Sequence, residues 1–189
     1  MLQQILQLIV DFVGTLLAGA CLLRAWMQWQ RVGVRNALGQ FVLTVTDWLV
    51  RPLRRVVPGY GGVDWASLIG ASLVSLCAVL VLAGASMASG AGSFPNVALL
   101  LGVAVMWTIK WAVYLAQALV LIMAILSWVN PFSPLLPVVD ALAGPLLRPI
   151  RRIVPLIGRV DLSPVIFLLL AQIALIVLRR LALETLGVF

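Results

Sequence analysis

The chain predicts an all-α, polytopic helical membrane protein: four transmembrane helices in two parallel tandem repeats, each with an amphipathic helix at the cytoplasmic membrane surface. Three observations predict it. Of 189 residues, 63% are hydrophobic and only 10% charged, where soluble domains carry about 25% charged residues. Several apolar segments exceed the ~20 residues needed to cross a hydrocarbon core. Finally, one stretch occurs twice. Arg51-Pro52-Leu53-Arg54-Arg55-Val56-Val57-Pro58, with Gly61 and Val63-Asp64 beyond it, returns 97 residues later without a gap as Arg148-Pro149-Ile150-Arg151-Arg152-Ile153-Val154-Pro155, Gly158 and Val160-Asp161. The copies divide the chain into a first unit, residues 1–95, and a second, residues 96–189.

The first apolar segment, 5–26, follows an uncharged start with neither a basic region nor a cleavage site, so it is expected to remain as a membrane helix. Arg24, near its end, is expected to snorkel to the interface. Asp11 is expected as an interfacial carboxylate near the outer surface, with a buried functional acid as the alternative. Trp26 and Trp29 mark a membrane boundary. Phe41, Val45, Trp48, Leu49 and Leu53 then recur at helical spacing, which predicts a surface helix with Arg51, Arg54 and Arg55 at its basic end. Residues 58–62, rich in Pro and Gly, form a turn. Asp64 stands where it can cap the second span, 65–87. Residues 89–95 make a short uncharged hairpin.

The 33 residues of Val97–Val129 would extend about 50 Å as a helix, more than one crossing needs. No Gly or Pro lies between Val103 and Val129, so one crossing over 111–128 is expected, with 97–109 as its outer, interfacial end. Lys110, between Trp107 and Trp111, is then an outer-surface anchor; a buried pair with Asp11 is the alternative. Residues 130–134 break the helix. Leu135, Val139, Leu142, Leu146, Ile150 and Ile153 repeat the surface-helix pattern. Beyond Pro155 and Gly158, Asp161-Leu162-Ser163-Pro164 opens the last span, 162–178, which Arg179, Arg180 and Glu184 end.

Charge sets the expected topology. The two motif-bearing connections hold Arg31, Arg35, Arg51, Arg54 and Arg55, and Arg148, Arg151, Arg152 and Arg159; the intervening hairpin holds no charge. Positive residues stay inside, so the motif loops are expected in the cytoplasm and both termini outside. The two units then share an orientation, related by an axis along the membrane normal. The net charge of +7 lies at the edges of apolar segments, which points to anionic lipid head groups rather than directly bound nucleic acid.

Composition also bounds the chemistry. There is no histidine, and Cys21 and Cys77 lie inside apolar segments. No zinc site of the usual kind, catalytic triad or cofactor is expected, and no nucleophile–base pair argues for an enzyme. The distinctive charges are the repeated ones. Asp64 follows Arg54, and Asp161 follows Arg151, by ten residues across a turn, so Arg54 or Arg55 is expected to reach Asp64, and Arg151 or Arg152 to reach Asp161. Such clamps would fix each surface helix to the span after it. They could also bind an anion, a lipid or a partner loop.

Met27-Gln28-Trp29, Gln40-Phe41, both Pro-x-Arg-Arg-x-x-Pro stretches, both Val-Asp ends with the preceding glycine, Ser127-Trp128 and Asp161-x-Ser163-Pro164 together resemble the bacterial YggT (YlmG) family, which has plastid relatives. The first unit departs from its pattern where Ala37 follows Asn36 and where Trp65-Ala66-Ser67 follows Asp64. The resemblance implies a small multi-pass inner-membrane protein of a family without an established catalytic activity. It also implies links to osmotic-stress tolerance and ion homeostasis, and in plastids to cofactor assembly on cytochrome complexes or nucleoid partitioning. The expected function is a scaffold or biogenesis factor that binds lipid head groups and membrane-protein partners at its arginine motifs. The alternative is a small ion or osmolyte transporter at the repeat interface or within a homo-oligomer; the spans hold few polar residues for a pathway.

Overall fold

A computed structural model describes residues 2–57, 59, 61–90, 96–153 and 161–186. These contain six helices and no strand: α1 Leu2–Trp29, α2 Ala37–Val56, α3 Trp65–Ala88, α4 Val97–Val129, α5 Leu136–Arg151 and α6 Ser163–Leu186. Gln3–Trp29, Trp65–Ala88, Val97–Val129 and Ser163–Ala182 are long and apolar enough to cross a membrane. Their outer faces carry large apolar side chains such as Leu8, Phe12, Leu101, Leu121 and Leu169, as surfaces facing lipid rather than water do.

Each helix start has a local cause. Asn36 caps α2 by accepting a hydrogen bond from the Gly39 amide at 2.7 Å, Asp64 caps α3 through Ser67, and Asn96 caps α4 through Leu99. These side chains satisfy amides that a helix leaves without partners. The turn before Asp64 contains Gly61 and Gly62 at φ +66° and +79°, a left-handed conformation that a Cβ disfavours. Pro58, Pro155 and Gly158 of the motif, and most of the expected hairpin, lie outside the described residues.

The packing joins α1 to α2 and α3, and α4 to α5 and α6, while α1 and α3 both pack on α4. Gly14 makes the α1–α4 approach close. A Cβ there would lie 2.4 Å from the Trp111 ring, which is wholly buried. Small residues permit such contact between membrane helices. Across α3 and α4 the hydroxyls of Ser75 and Thr108 meet at 2.8 Å, and the Trp26 indole donates to the Leu142 carbonyl at 3.0 Å, tying α1 to α5.

The structure adds detail to three sequence expectations. The buried face of α2 is Gly39, Val42, Thr46 and Val50, whereas Phe41 and Trp48 are exposed. Of the apolar stripe, Leu49 and Leu53 pack against the buried core while Phe41 and Trp48 face outward. In α5, Val139 and Leu142 of the surface-helix pattern are buried against the protein, while Ile153 lies beyond the helix and is exposed. The last helix continues through Arg179 and Arg180 to Leu186, since arginine is a good helix former and does not itself end a helix.

Candidate functional site: a buried ion-pair network beside the motif turn

The first motif turn is built around Asp64, which is almost wholly buried. Its Oδ2 accepts hydrogen bonds from Arg54 Nη2 at 2.5 Å and from the Ser67 hydroxyl at 2.6 Å. Its Oδ1 accepts from the Ser67 amide at 3.3 Å. The Gln28 side-chain oxygen Oε1 accepts from the same Arg54 nitrogen at 3.2 Å. Burial pushes the Asp64 carboxyl up, but the hydrogen bonds from Arg54 and Ser67 and the Arg54 charge outweigh it, leaving the group below its ordinary value.

Beneath this clamp lies a residue that the sequence places wrongly. Arg24 does not snorkel; it is 7% exposed. Its Nη1 donates to Asp47 Oδ1 at 2.8 Å and to Thr46 Oγ1 at 2.9 Å, and its Nε lies 3.7 Å from Asp64 Oδ2. That Nε makes no hydrogen bond among the described residues. Asp47 also receives Arg51 Nη2 at 2.8 Å, one helical turn on. Three arginines and two aspartates thus join α1, α2 and the start of α3. A buried guanidinium persists only when it is paired, and α2 supplies the pair from its protein-facing side. Sequence reasoning missed Asp47, Thr46 and Gln28. The available signal was Asp47 four residues before Arg51, which places opposite charges on one helix face.

The second turn repeats the clamp alone. Arg151 Nε lies 2.9 Å from Asp161 Oδ2, and Asp161 Oδ1 accepts from the Ser163 amide at 2.9 Å. Burial pushes the Asp161 carboxyl up, but the hydrogen bonds from Ser163 and the charge and hydrogen bond of Arg151 outweigh it, leaving the group below its ordinary value. No equivalent of Arg24 or Asp47 stands here: 97 residues on, the Asp47 position is Gly144. Arg55, Arg148 and Arg152 are exposed and join no ion pair among the described residues.

Elsewhere, Lys110 Nζ lies 2.9 Å from Asp11 Oδ1 and 4.0 Å from the centre of the Trp107 ring. The pairing of Lys110 with Asp11, rather than a separate surface anchor and interfacial carboxylate, is the arrangement formed. It links α1 to the middle of one continuous α4.

With this geometry in hand, comparison with known proteins is direct. The CCB3/YggT family model matches residues 3–85 and 102–182. The chain belongs to the CCB3/YggT family. The uncharacterized protein YggT of Escherichia coli (strain K12) is 39% identical over 153 residues, 80% of this chain and 77% of its own length. The uncharacterized protein PA0392 of Pseudomonas aeruginosa is 36% identical over 188 residues, covering 94% and 90%. A Haemophilus influenzae protein is 31% identical over 181 residues, covering 93% and 92%. No solved structure matches. Within this YggT-family chain, both matched segments contain a motif turn with its clamp, and only the first contains Arg24 and Asp47.

Proposed function

We propose that the protein is an inner-membrane scaffold or biogenesis factor, built of two like-oriented units, whose exposed motif arginines hold anionic lipid head groups and the loops of membrane partners. The observation that carries this reading is a division of labour among repeated cations. Arg54 and Arg151 are occupied by the capping carboxylates, while Arg55, Arg148 and Arg152 stand exposed beside them. The clamps orient each surface helix, and the remaining guanidinium groups present planar forks suited to phosphate or carboxylate. Two matched segments of similar length support the two-unit reading. Osmotic-stress tolerance is the cellular readout that the family resemblance suggests.

The test is the combined Arg55→Gln, Arg148→Gln and Arg152→Gln variant. Its thermal unfolding in detergent should match that of the parent. Its retention of anionic lipid, read by native mass spectrometry, should fall by about tenfold or more, since hydrogen bonds to charged groups are each worth about 1.5–3 kcal/mol. Unchanged lipid retention, together with unchanged partner capture and osmotic tolerance, would remove the reading. Transport is the second reading, drawn from the Asp11–Lys110 pair between α1 and α4; robust ion flux in proteoliposomes would replace the scaffold with it.

Orientation is tested separately, in a background lacking Cys21 and Cys77. Gly33→Cys should react only with cytoplasmic reagent and Gly92→Cys only with external reagent. Internal labelling of Gly92→Cys would invert the topology.

A further inference from the structure

The helix packing is uneven in a way that leaves a charged cleft. α3 closes against α4 on one side, but α6 makes no comparable packing with α1 on the other. Between α1, α4 and α6 lies a cleft of about 500 Å³ whose polar lining includes Asp11, Lys110, Tyr114, Gln172 and Arg179. Unsupported polar side chains are costly in a membrane span, and they ordinarily mark a site that uses them.

The charges in this cleft do not balance. Asp11 and Lys110 neutralise each other at 2.9 Å. Arg179 is exposed and has no carboxylate partner among the described residues. Trp107, 4% exposed, also lines the cleft, and its indole N–H has no acceptor among the described residues. The lining therefore carries one surplus positive charge, with donors in excess of acceptors.

Depth and flanks identify the occupant. Asp11 lies about 14 Å along the helix from the first residue of α1, and Arg179 about 10 Å from the last residue of α6, at 1.5 Å per residue. These two helix ends lie at the same membrane face on the topology proposed above. Leu175 and Ile176 also line the cleft, and α1 and α6 flank it with exposed Leu8, Phe12, Ile173 and Val177. An anion site with such flanks suits a molecule that is already in the bilayer and has a charged end. We propose that this cleft binds the phosphodiester head group of an anionic phospholipid, with Arg179 as its principal counter-ion and Lys110, held by Asp11 and Trp107, beside it. On the topology proposed above, this is the outer leaflet, which gives Arg179 a local role on the face that carries few cations. The site is separate from the motif turns, so it does not depend on lipid binding there.

The experiment places the full chain in nanodiscs containing equal amounts of phosphatidylglycerol and phosphatidylcholine, with Tyr114→p-benzoylphenylalanine as a photo-cross-linker. Phosphatidylglycerol should be captured about tenfold in excess, as one charge-assisted contact of ordinary strength provides. Arg179→Gln should bring the ratio close to one without changing thermal unfolding, whereas the combined Arg55, Arg148 and Arg152 variant should leave it intact. Equal capture of the two lipids by the parent, or an unchanged ratio in Arg179→Gln, would overturn the proposal. Displacement of the lipid by soluble glycerol 3-phosphate would overturn its lipid assignment in favour of a free phosphate ester, and the absence of displacement supports the lipid.

Discussion

Asp64→Leu is expected to destabilise the protein by about 3–5 kcal/mol, the usual cost of removing one partner from a buried charge pair. The substitution removes the carboxylate that receives Arg54, takes away the second of the two carboxylates beside Arg24 and deprives α3 of its cap. Asp64→Asn retains an acceptor for the Ser67 amide, so its cost should be smaller, about 1–3 kcal/mol. The same pair of substitutions at Asp161 should keep that order but with smaller effects, because the Asp161 side chain is 30% exposed against 2% for Asp64. Thermal unfolding in a fixed detergent reads all four. Equal losses at the two sites would show that burial does not set the strength of the clamp.

Acid should reveal the same carboxylate. Asp64 in the folded protein lies below its ordinary 3.8, so the folded state favours its ionised form. The resulting stability is fully present above the unfolded value and is lost as pH falls through the lower folded value. Stability in the parent should therefore decline below about pH 4. Asp64→Asn should flatten that decline, and an unaltered acid profile in this variant would assign the step to other carboxylates.

The second large effect concerns Arg24. Asp47→Leu leaves the Arg24 guanidinium buried with Thr46 and a distant Asp64 oxygen, and should cost about 3 kcal/mol or more. Adding Arg24→Leu to that variant should recover part of the loss, because no buried charge then lacks its partner. A double-mutant cycle measures this as a coupling of about 1–3 kcal/mol. Strict additivity would mean that Arg24 and Asp47 do not act as a pair. Arg51 gives the control: it also touches Asp47, but its side chain is 77% exposed, and Arg51→Gln should cost no more than about 1 kcal/mol.

These expectations separate what was legible in the chain from what was not. Apolar length and composition determined the four candidate spans, because crossing hydrocarbon requires each backbone polar group to be satisfied within its own helix. The clamp was legible for a related reason. Arg54 and Asp64, and Arg151 and Asp161, are ten residues apart across a turn, so local geometry brings each pair together. Of the distant pairings, Lys110 with Asp11 was legible only as an alternative and Arg24 with Asp47 not at all; the tertiary structure decides both. Arg24 meets Asp47 over 23 residues and Lys110 meets Asp11 over 99, through the depth at which separate helices cross. Periodicity reports which residues share a helix face, but it contains neither helix depth nor rotation. For that reason Arg24 reads as a snorkelling residue until α2 turns Thr46 and Asp47 toward it, and periodicity does not reveal that Leu49 and Leu53 of α2 pack inward while Phe41 and Trp48 face out. The sequence determined the spans and the local clamps; helix packing alone decided which distant charges meet, because in a membrane interior a charge is stable where a partner lies at the same depth.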